Sequence, residues 1–349
     1  MRNALRYKYL LLILLCIFFS SHNAHSQQVR HRYITVCQGT SGNYTYMGVD
    51  GTGDTLFFEN FESGIGSCWY TNKTNNCINN FEAKNRIYLW DRSNGTQSQT
   101  AYQGRSAFAE SVDPYSRCNW VNGYIAYLAT PQIKIDIPAQ TKITLYYYNE
   151  AFTQEDWYYG YNVYYDEFGI LYYNATSTPV ARNFYLNSSG ALYFNGSGPI
   201  AYLYQERRDT DRWTRLERSL NALQAGYNIF TFGHKDLSAV GCGIDNVLVR
   251  GPRLIPIPTE VSNGAPGFTF TTTETYDNTF GCTSEIAYYH WTVAGPTTSD
   301  ETVHTLPYTW RNGQTYTAPG DYEWHGTNRA GCDSTAYLHI SVTHTPDQP

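Results

Sequence analysis

Two stretches far apart in the chain, Phe57-Phe58-Glu59-Asn60-Phe61-Glu62-Ser63-Gly64 and Gly243-Ile244-Asp245-Asn246-Val247-Leu248-Val249, embed carboxylates in apolar runs. Each reads as a strand bearing an acidic side chain. A second acidic group, Glu150, Glu155 and Asp156, leads into Trp157, Tyr158, Tyr159 and Tyr161. Carboxylates beside aromatic rings resemble the floor of a sugar subsite, and two that face each other about 5 to 9 Å apart can hydrolyse a glycoside. Proximity in a strand loop does not supply that facing. On a strand, Trp157, Tyr159 and Tyr161 share one face while Tyr158 takes the other. The core needs only one of these faces, so the other is expected to meet a ligand, a glycan or a protein. There is no GxSxG, no HExxH, no P-loop and no glycine fingerprint leading into a helix. The expectation is a non-catalytic recognition protein rather than an enzyme.

The elements that would position these residues are strands. Gln132 to Ile137 and Ile143 to Tyr148 alternate apolar and polar residues around the turn signal Pro138-Ala139-Gln140. Tyr158 to Tyr165, Ala191 to Phe194, Ile200 to Tyr204, Tyr227 to Phe232 and Ile244 to Val249 continue the series, and only Thr214 to Leu223 could pass for a helix. The pattern predicts a closed β-sandwich over 54–252 with its first and last strands side by side. Residues 27–53 are polar and glycine-punctuated, with one short strand candidate at Tyr33 to Val36, and read as a lead-in segment. Pro252, Pro256 and Pro258 mark a stiff linker over 253–262. Beyond it Gly267-Phe-Thr-Phe-Thr, Tyr276 and Gly281-Cys-Thr-Ser-Glu-Ile-Ala-Tyr return as Gly313-Gln-Thr-Tyr-Thr, Tyr322 and Gly331-Cys-Asp-Ser-Thr-Ala-Tyr, a period of about 50 residues. Units of this size need a neighbour to bury their apolar faces, so 263–349 is expected to pack as one Ig-like sandwich. The fold class is therefore all-β, a jelly-roll β-sandwich followed by an Ig-like β-sandwich module.

Residues 1–26 read as a secretory signal peptide: Arg2, Arg6 and Lys8 precede an apolar run from Tyr9 to Phe19 and then Ala24-His25-Ser26. That run is shorter than the ~20 residues that span a bilayer, so no membrane insertion is expected. Removing those three cations takes the formal net charge from −6 to −9, which makes nucleic acid and anionic membranes poor partners. The chain has 33 Tyr against 2 Met, the composition of half-buried strands and of flat amphipathic contact surface. Seven cysteines follow the leader: Cys37, Cys68, Cys77, Cys118, Cys242, Cys282 and Cys332. None shows zinc spacing, and export to an oxidising compartment predicts disulfides with one thiol left over. Cys282 and Cys332 each follow a Gly at matching repeat positions and are expected to pair.

The run Glu59-Asn60-Phe61-Glu62-Ser63-Gly64 with Cys68-Trp69, Trp90, Gly104-Arg105-Ser106-Ala107, Leu128-Ala129-Thr130-Pro131-Gln132-Ile133 and Ile244-Asp245-Asn246-Val247 resembles the MAM-type jelly roll. It is most similar to the cleaved-adhesin domains of gingipains and haemagglutinins and to choice-of-anchor domains of Bacteroidota surface proteins. Tyr308-Thr-Trp-Arg-Asn-Gly-Gln-Thr-Tyr-Thr-Ala-Pro-Gly-Asp-Tyr with Ala330-Gly-Cys-Asp-Ser resembles tandem modules of Bacteroidota proteins exported by type IX secretion. The resemblance implies a structural calcium ion held between the first and last strands by Glu62 and Asp245, with Glu59 as a further candidate ligand. Asn60 stands where the family often has Asp, one charge fewer at that site. Six to eight oxygen ligands suit Ca²⁺, although Glu59 and Glu62 would point to opposite faces of a straight strand. The implied function is adhesion or extracellular recognition at the surface of a Bacteroidota-like bacterium, with a host protein, a glycan or other cell-surface components as partner. A carbohydrate-binding region of a larger secreted enzyme, and a structural stalk or fibre subunit, are the competing readings.

Overall fold

The computed structural model describes residues 28–66, 69–73, 79–91, 95–110, 124–149, 167–175, 184–186, 192–194, 201–206, 212–236, 241–278 and 282–342. Among them the only helical segments are a 3-10 turn at Pro138–Gln140 and a single turn at Thr259–Ser262; all other regular structure is β. The described chain falls into two compact units, one from Thr45–Leu254 with Asp277–Thr283, the other from Gln28–Tyr44, Ile255–Tyr276 and the residues from Ser284 onward.

The first unit is a jelly-roll-like sandwich of two antiparallel sheets. One runs Thr214–Ser219, Lys142–Asn149, Gly241–Gly251, Ser106–Glu110, Glu82–Lys84, with Asp54–Glu59 also paired to Gly241–Gly251. The other runs Ala201–Glu206, Glu167–Ala175, Gly226–Asp236, Tyr124–Ala129, Tyr70–Lys73, with Ile133–Ile135 also on Gly226–Asp236. Alternation along these strands sends Leu128, Ile143, Leu145, Ile170, Phe230, Phe232, Val247 and Val249 into one core between the sheets. The first and last strands pair directly, Glu59 opposite Val247 and Phe57 opposite Val249. Residues 214–219 are a strand, not the helix their composition permits, because pairing of Leu216 with Leu145 buries the one apolar side chain that a helix would have left outside.

The second unit contains two three-stranded sheets of one design. Gln28–Cys37 runs parallel to Cys282–Ala294, which neighbours Thr269–Asn278; Thr297–Val303 runs parallel to Asp333–Ile340, which pairs antiparallel with Gly320–Thr327. The internal repeat thus has a structural counterpart. In each copy the central strand holds the preceding strand on one side and a parallel strand on the other, and for the first copy that parallel strand comes from the amino-terminal end. The lead-in expected over 27–53 is therefore corrected: Gln28–Cys37 is an integral strand whose partner lies some 250 residues later. Ile34 and Val36 are buried with Tyr289, Trp291 and Val293, while Trp310, Tyr316, Ala336, Leu338 and Ile340 cluster around the second sheet.

This register also corrects the disulfide. Cys332 is bonded to Cys37, whose Cα lies 5.3 Å away, and not to Cys282. Equivalent positions in two repeats sit on equivalent strands of different sheets and need not touch, whereas the end of Gln28–Cys37 arrives beside the turn that carries Cys332. The residues read as a linker, 253–262, are folded as well. Arg253–Pro256 is a strand, and the buried Arg253 Nε is 2.6 Å from Asp54 Oδ2.

Candidate functional site

Asp245 lies in the central strand Gly241–Gly251, where Asn246 takes a left-handed backbone conformation (φ 49°). That residue shifts the pleat, so that Ile244 and Val247 both reach the core and Asp245 turns to the other side of the sheet. There it is fully buried. Its Oδ2 accepts hydrogen bonds from the Ser106 hydroxyl at 2.7 Å and the Gln103 backbone N–H at 3.3 Å, and its Oδ1 accepts from the Asn246 N–H at 2.6 Å. Burial raises the Asp245 carboxyl above its ordinary value and the negative charge of Glu62 raises it further, against the lowering by these three donors.

Glu62 reaches the same place from the first strand. Phe61, also left-handed (φ 57°), turns the chain, and the Asn60 side chain accepts the Glu62 N–H at 3.3 Å. The loop 101–105 lies over both acids: the Gln103 N–H goes to Asp245, and the Arg105 N–H goes to Glu62 Oε1 at 3.2 Å. Gly104 between them favours glycine by its φ of 47°, and a Cβ there would meet the Glu62 carboxylate at 2.1 to 2.2 Å and push that side chain aside. Glu59 does not join the pair. Its Oε1 caps the Phe61 N–H at 2.8 Å and its Oε2 accepts the indole N–H of Trp69 at 3.2 Å.

Two of the three expected acids therefore approach each other, held by hydrogen bonds from the Gln103, Arg105 and Asn246 N–H groups and the Ser106 hydroxyl. The two carboxylates are hard oxygen donors of the kind Ca²⁺ takes, and Glu62 and Asp245 are the residues that could hold one. Among the described residues no group of three or more His, Cys, Asp or Glu converges on one point, so the remaining ligands would be amides, carbonyls and water. On the same sheet Tyr102 stacks on Tyr146 with ring centroids 3.8 Å apart, and Trp213 donates its indole N–H to the Thr100 carbonyl at 2.8 Å. The expected aromatic platform, Trp157, Tyr158, Tyr159 and Tyr161, lies outside the described residues.

A different aromatic surface is present in the second unit. The outward face of its first sheet carries Val29, His31, Tyr33 and Thr35 on one strand, Ile286, Tyr288, His290 and Thr292 on the next, and Thr269, Thr271, Thr273 and Thr275 on the third. None of these twelve residues is acidic, lysine or arginine; Asp277 follows Thr275 in the same register of the third strand. Tyr33 is 77% exposed and Val29 54%. On the inward side Arg32 meets Glu285 at 2.6 Å with both side chains buried.

No protein-family model and no curated protein matches the chain. Solved structures similar to it include the K1 cleaved adhesin domain of Lys-gingipain from Porphyromonas gingivalis, at 15% identity and a TM-score of 0.34 over 57% of this chain and 99% of that one. The K3 cleaved adhesin domain of the same protein gives 15% identity and a TM-score of 0.33 over 57% of this chain and 100% of that one. A xylan-binding domain from Paenibacillus barcinonensis gives 11% and 0.29 over 59% of this chain and 97% of that one. Values this low say nothing about what this chain binds.

Sequence reasoning found the carboxylate pair and missed the sheet face. In Gln28–Cys37 the inward positions include Arg30 and Arg32 while the outward ones include Val29 and Tyr33, the reverse of the usual polarity, so the alternation gave no strand signal before Tyr33. The signal that could have found it is the matching alternation of Ile286, Tyr288, His290 and Thr292 in the partner strand.

Proposed function

We propose that this is a secreted, non-catalytic protein of adhesion or extracellular recognition, and that the Tyr/His/Thr face of the second unit is its contact surface for a glycan or a protein. The observation that carries this reading is the exposure of Tyr33, a large ring left in water on a face of Tyr, His and Thr side chains. Such rings supply contact area at low entropic cost and are the usual anchors of recognition surfaces. The hydroxyls and rings of these Tyr, His and Thr side chains favour a polar, uncharged partner such as a glycan. The Cys37–Cys332 bond supports export, since disulfides persist in oxidising compartments. A calcium ion at Glu62 and Asp245 is part of the same proposal: it would neutralise two buried or half-covered carboxylates and tie the first strand to the last.

The test is a glycan and host-protein array probed with the full chain and with a Tyr33→Ala variant. Binding by the wild type, lost in the variant at unchanged melting temperature, is the expected result. An array hit that the variant keeps undiminished would move the site elsewhere, and a blank array would remove the recognition reading.

A further inference from the structure

His31 and His290 stand on neighbouring parallel strands, one step apart in register: His31 lies opposite Tyr288, and His290 opposite Tyr33. His31 Nδ1 lies 2.9 Å from His290 Nε2, with 12° between the ring planes. The ring centroids are 5.2 Å apart, which is that contact plus about one ring radius at either end, so the two nitrogens point straight at each other as in an N–H···N hydrogen bond. The other ring nitrogen of His290, Nδ1, lies 3.2 Å from the Thr271 hydroxyl. Each imidazole is also stacked on a tyrosine. Tyr288 lies 5.0 Å from His31 with 13° between planes, and Tyr33 lies 4.7 Å from His290 with 20°. The hydrogen bond thus joins two Tyr–His stacks into one unit across the strands.

We propose that the His31–His290 hydrogen bond is an acid-sensitive clasp, which holds the Tyr33 face assembled until both imidazoles are protonated and then opens. The proton count dictates this. Two neutral imidazoles share two N–H protons among four nitrogens. One proton lies in the contact and the other on an outer nitrogen, which leaves His31 Nε2 or His290 Nδ1 free according to the tautomer. A first added proton takes that outer lone pair and keeps the hydrogen bond, now charge-assisted. A second has only the shared lone pair to take. It sets two N–H groups head to head and two like charges in contact, so one ring must turn away, and its tyrosine contact goes with it. Imidazole is the side chain that changes charge between about pH 5 and 8, so the clasp responds to mild acid. The other titratable groups on this face are the phenols of Tyr33 and Tyr288, a class that ionises far above imidazole. Arg30, Arg32 and Glu285 lie together on the inward side, and Glu274 of the third strand accepts the Tyr276 hydroxyl there. Asp277 stands six residues along that strand from Thr271, about 20 Å away and beyond the screening length at physiological salt. That opening would regulate binding rests on the recognition role proposed above; the clasp itself is a property of the free protein.

The experiment follows the imidazole nitrogens and the Tyr33 ring by nuclear magnetic resonance in the isotope-labelled full chain, with no ligand added, from about pH 8 down to about pH 4.5. It compares the wild type with His31→Phe, which keeps a ring beside Tyr288 but has no nitrogen to share, and with His325→Gln on the other sheet. The wild type is expected to show scalar coupling between His31 Nδ1 and His290 Nε2 at the neutral end, lost at the acid end in step with a shift of the Tyr33 ring signals. In His31→Phe, His290 should titrate in a single step at a midpoint moved from that of the wild type, and His325→Gln should match the wild type at both histidines. Coupling absent at the neutral end or retained at the acid end, Tyr33 signals that ignore its loss, or an identical His290 titration in wild type and His31→Phe overturns the proposal. Because no ligand enters the measurement, its failure is distinct from a blank glycan or protein array.

Discussion

At the scale of single residues, His339 shows how the second unit uses charge. It lies on the exposed face of Asp333–Ile340, with Nδ1 2.7 Å from Asp321 Oδ1 on one neighbouring strand and Nε2 3.6 Å from Asp300 Oδ1 on the other. The hydrogen bond to Asp321, with a smaller share from Asp300, raises the imidazole above its ordinary value of 6.5. A histidine raised in the folded state contributes stability that is fully present below its unfolded value and disappears as pH climbs through the folded one. The group is exposed, so the contribution is small and salt-sensitive. Proton-detected titration of the imidazole is expected to find His339 titrating above 6.5 in the wild type and returning toward it in Asp321→Asn. An identical midpoint in the two proteins would show that the carboxylate does not hold the ring.

At the scale of elements, the carboxylate pair depends on a loop rather than on the strands alone. Loop 101–105 supplies backbone N–H groups to both Asp245 and Glu62, and a side chain at 104 would push the Glu62 carboxylate away. The proposed calcium ion predicts that chelation lowers the melting temperature of the wild type, since a ligand at a hundredfold excess over its Kd stabilises the folded state by about 2.7 kcal/mol. Gly104→Ala should lose most of that calcium-dependent increment. Asp245→Asn should lose all of it yet remain as stable as the wild type in chelator, because it removes a buried charge that faces another acid. Wild-type melting that ignores both calcium and chelator would remove the ion from the account. Much of this unit was legible locally. The alternation around Pro138-Ala139-Gln140 became Ile133–Ile135, a 3-10 turn and Lys142–Asn149, and the two acid-bearing apolar runs did become paired first and last strands. What could not be read was set by partners distant in sequence. The strand at Thr214–Ser219 exists because Leu216 faces Leu145, and Glu59 is drawn away from Asp245 by the Trp69 indole, a contact across a turn that strand periodicity does not describe.

At the scale of the whole molecule, the second unit is assembled from three separate segments of the chain. Gln28–Cys37 supplies the parallel strand of the first repeat copy, the jelly-roll-like unit follows, and the rest of the second unit comes after it. The repeat was visible in the sequence as two copies with a common period, but its first copy lacked a strand there, because that strand is separated from its partner by the entire intervening unit. The proposed recognition face exists only if Gln28–Cys37 lies beside Cys282–Ala294, since each strand contributes half of its rings. The Cys37–Cys332 bond is the covalent mark of that arrangement. Peptide mapping of the unreduced, thiol-blocked protein tests it most directly: the account predicts a cross-linked pair containing Cys37 and Cys332, and a Cys282–Cys332 pair, or Cys37 recovered as a free thiol, would contradict it.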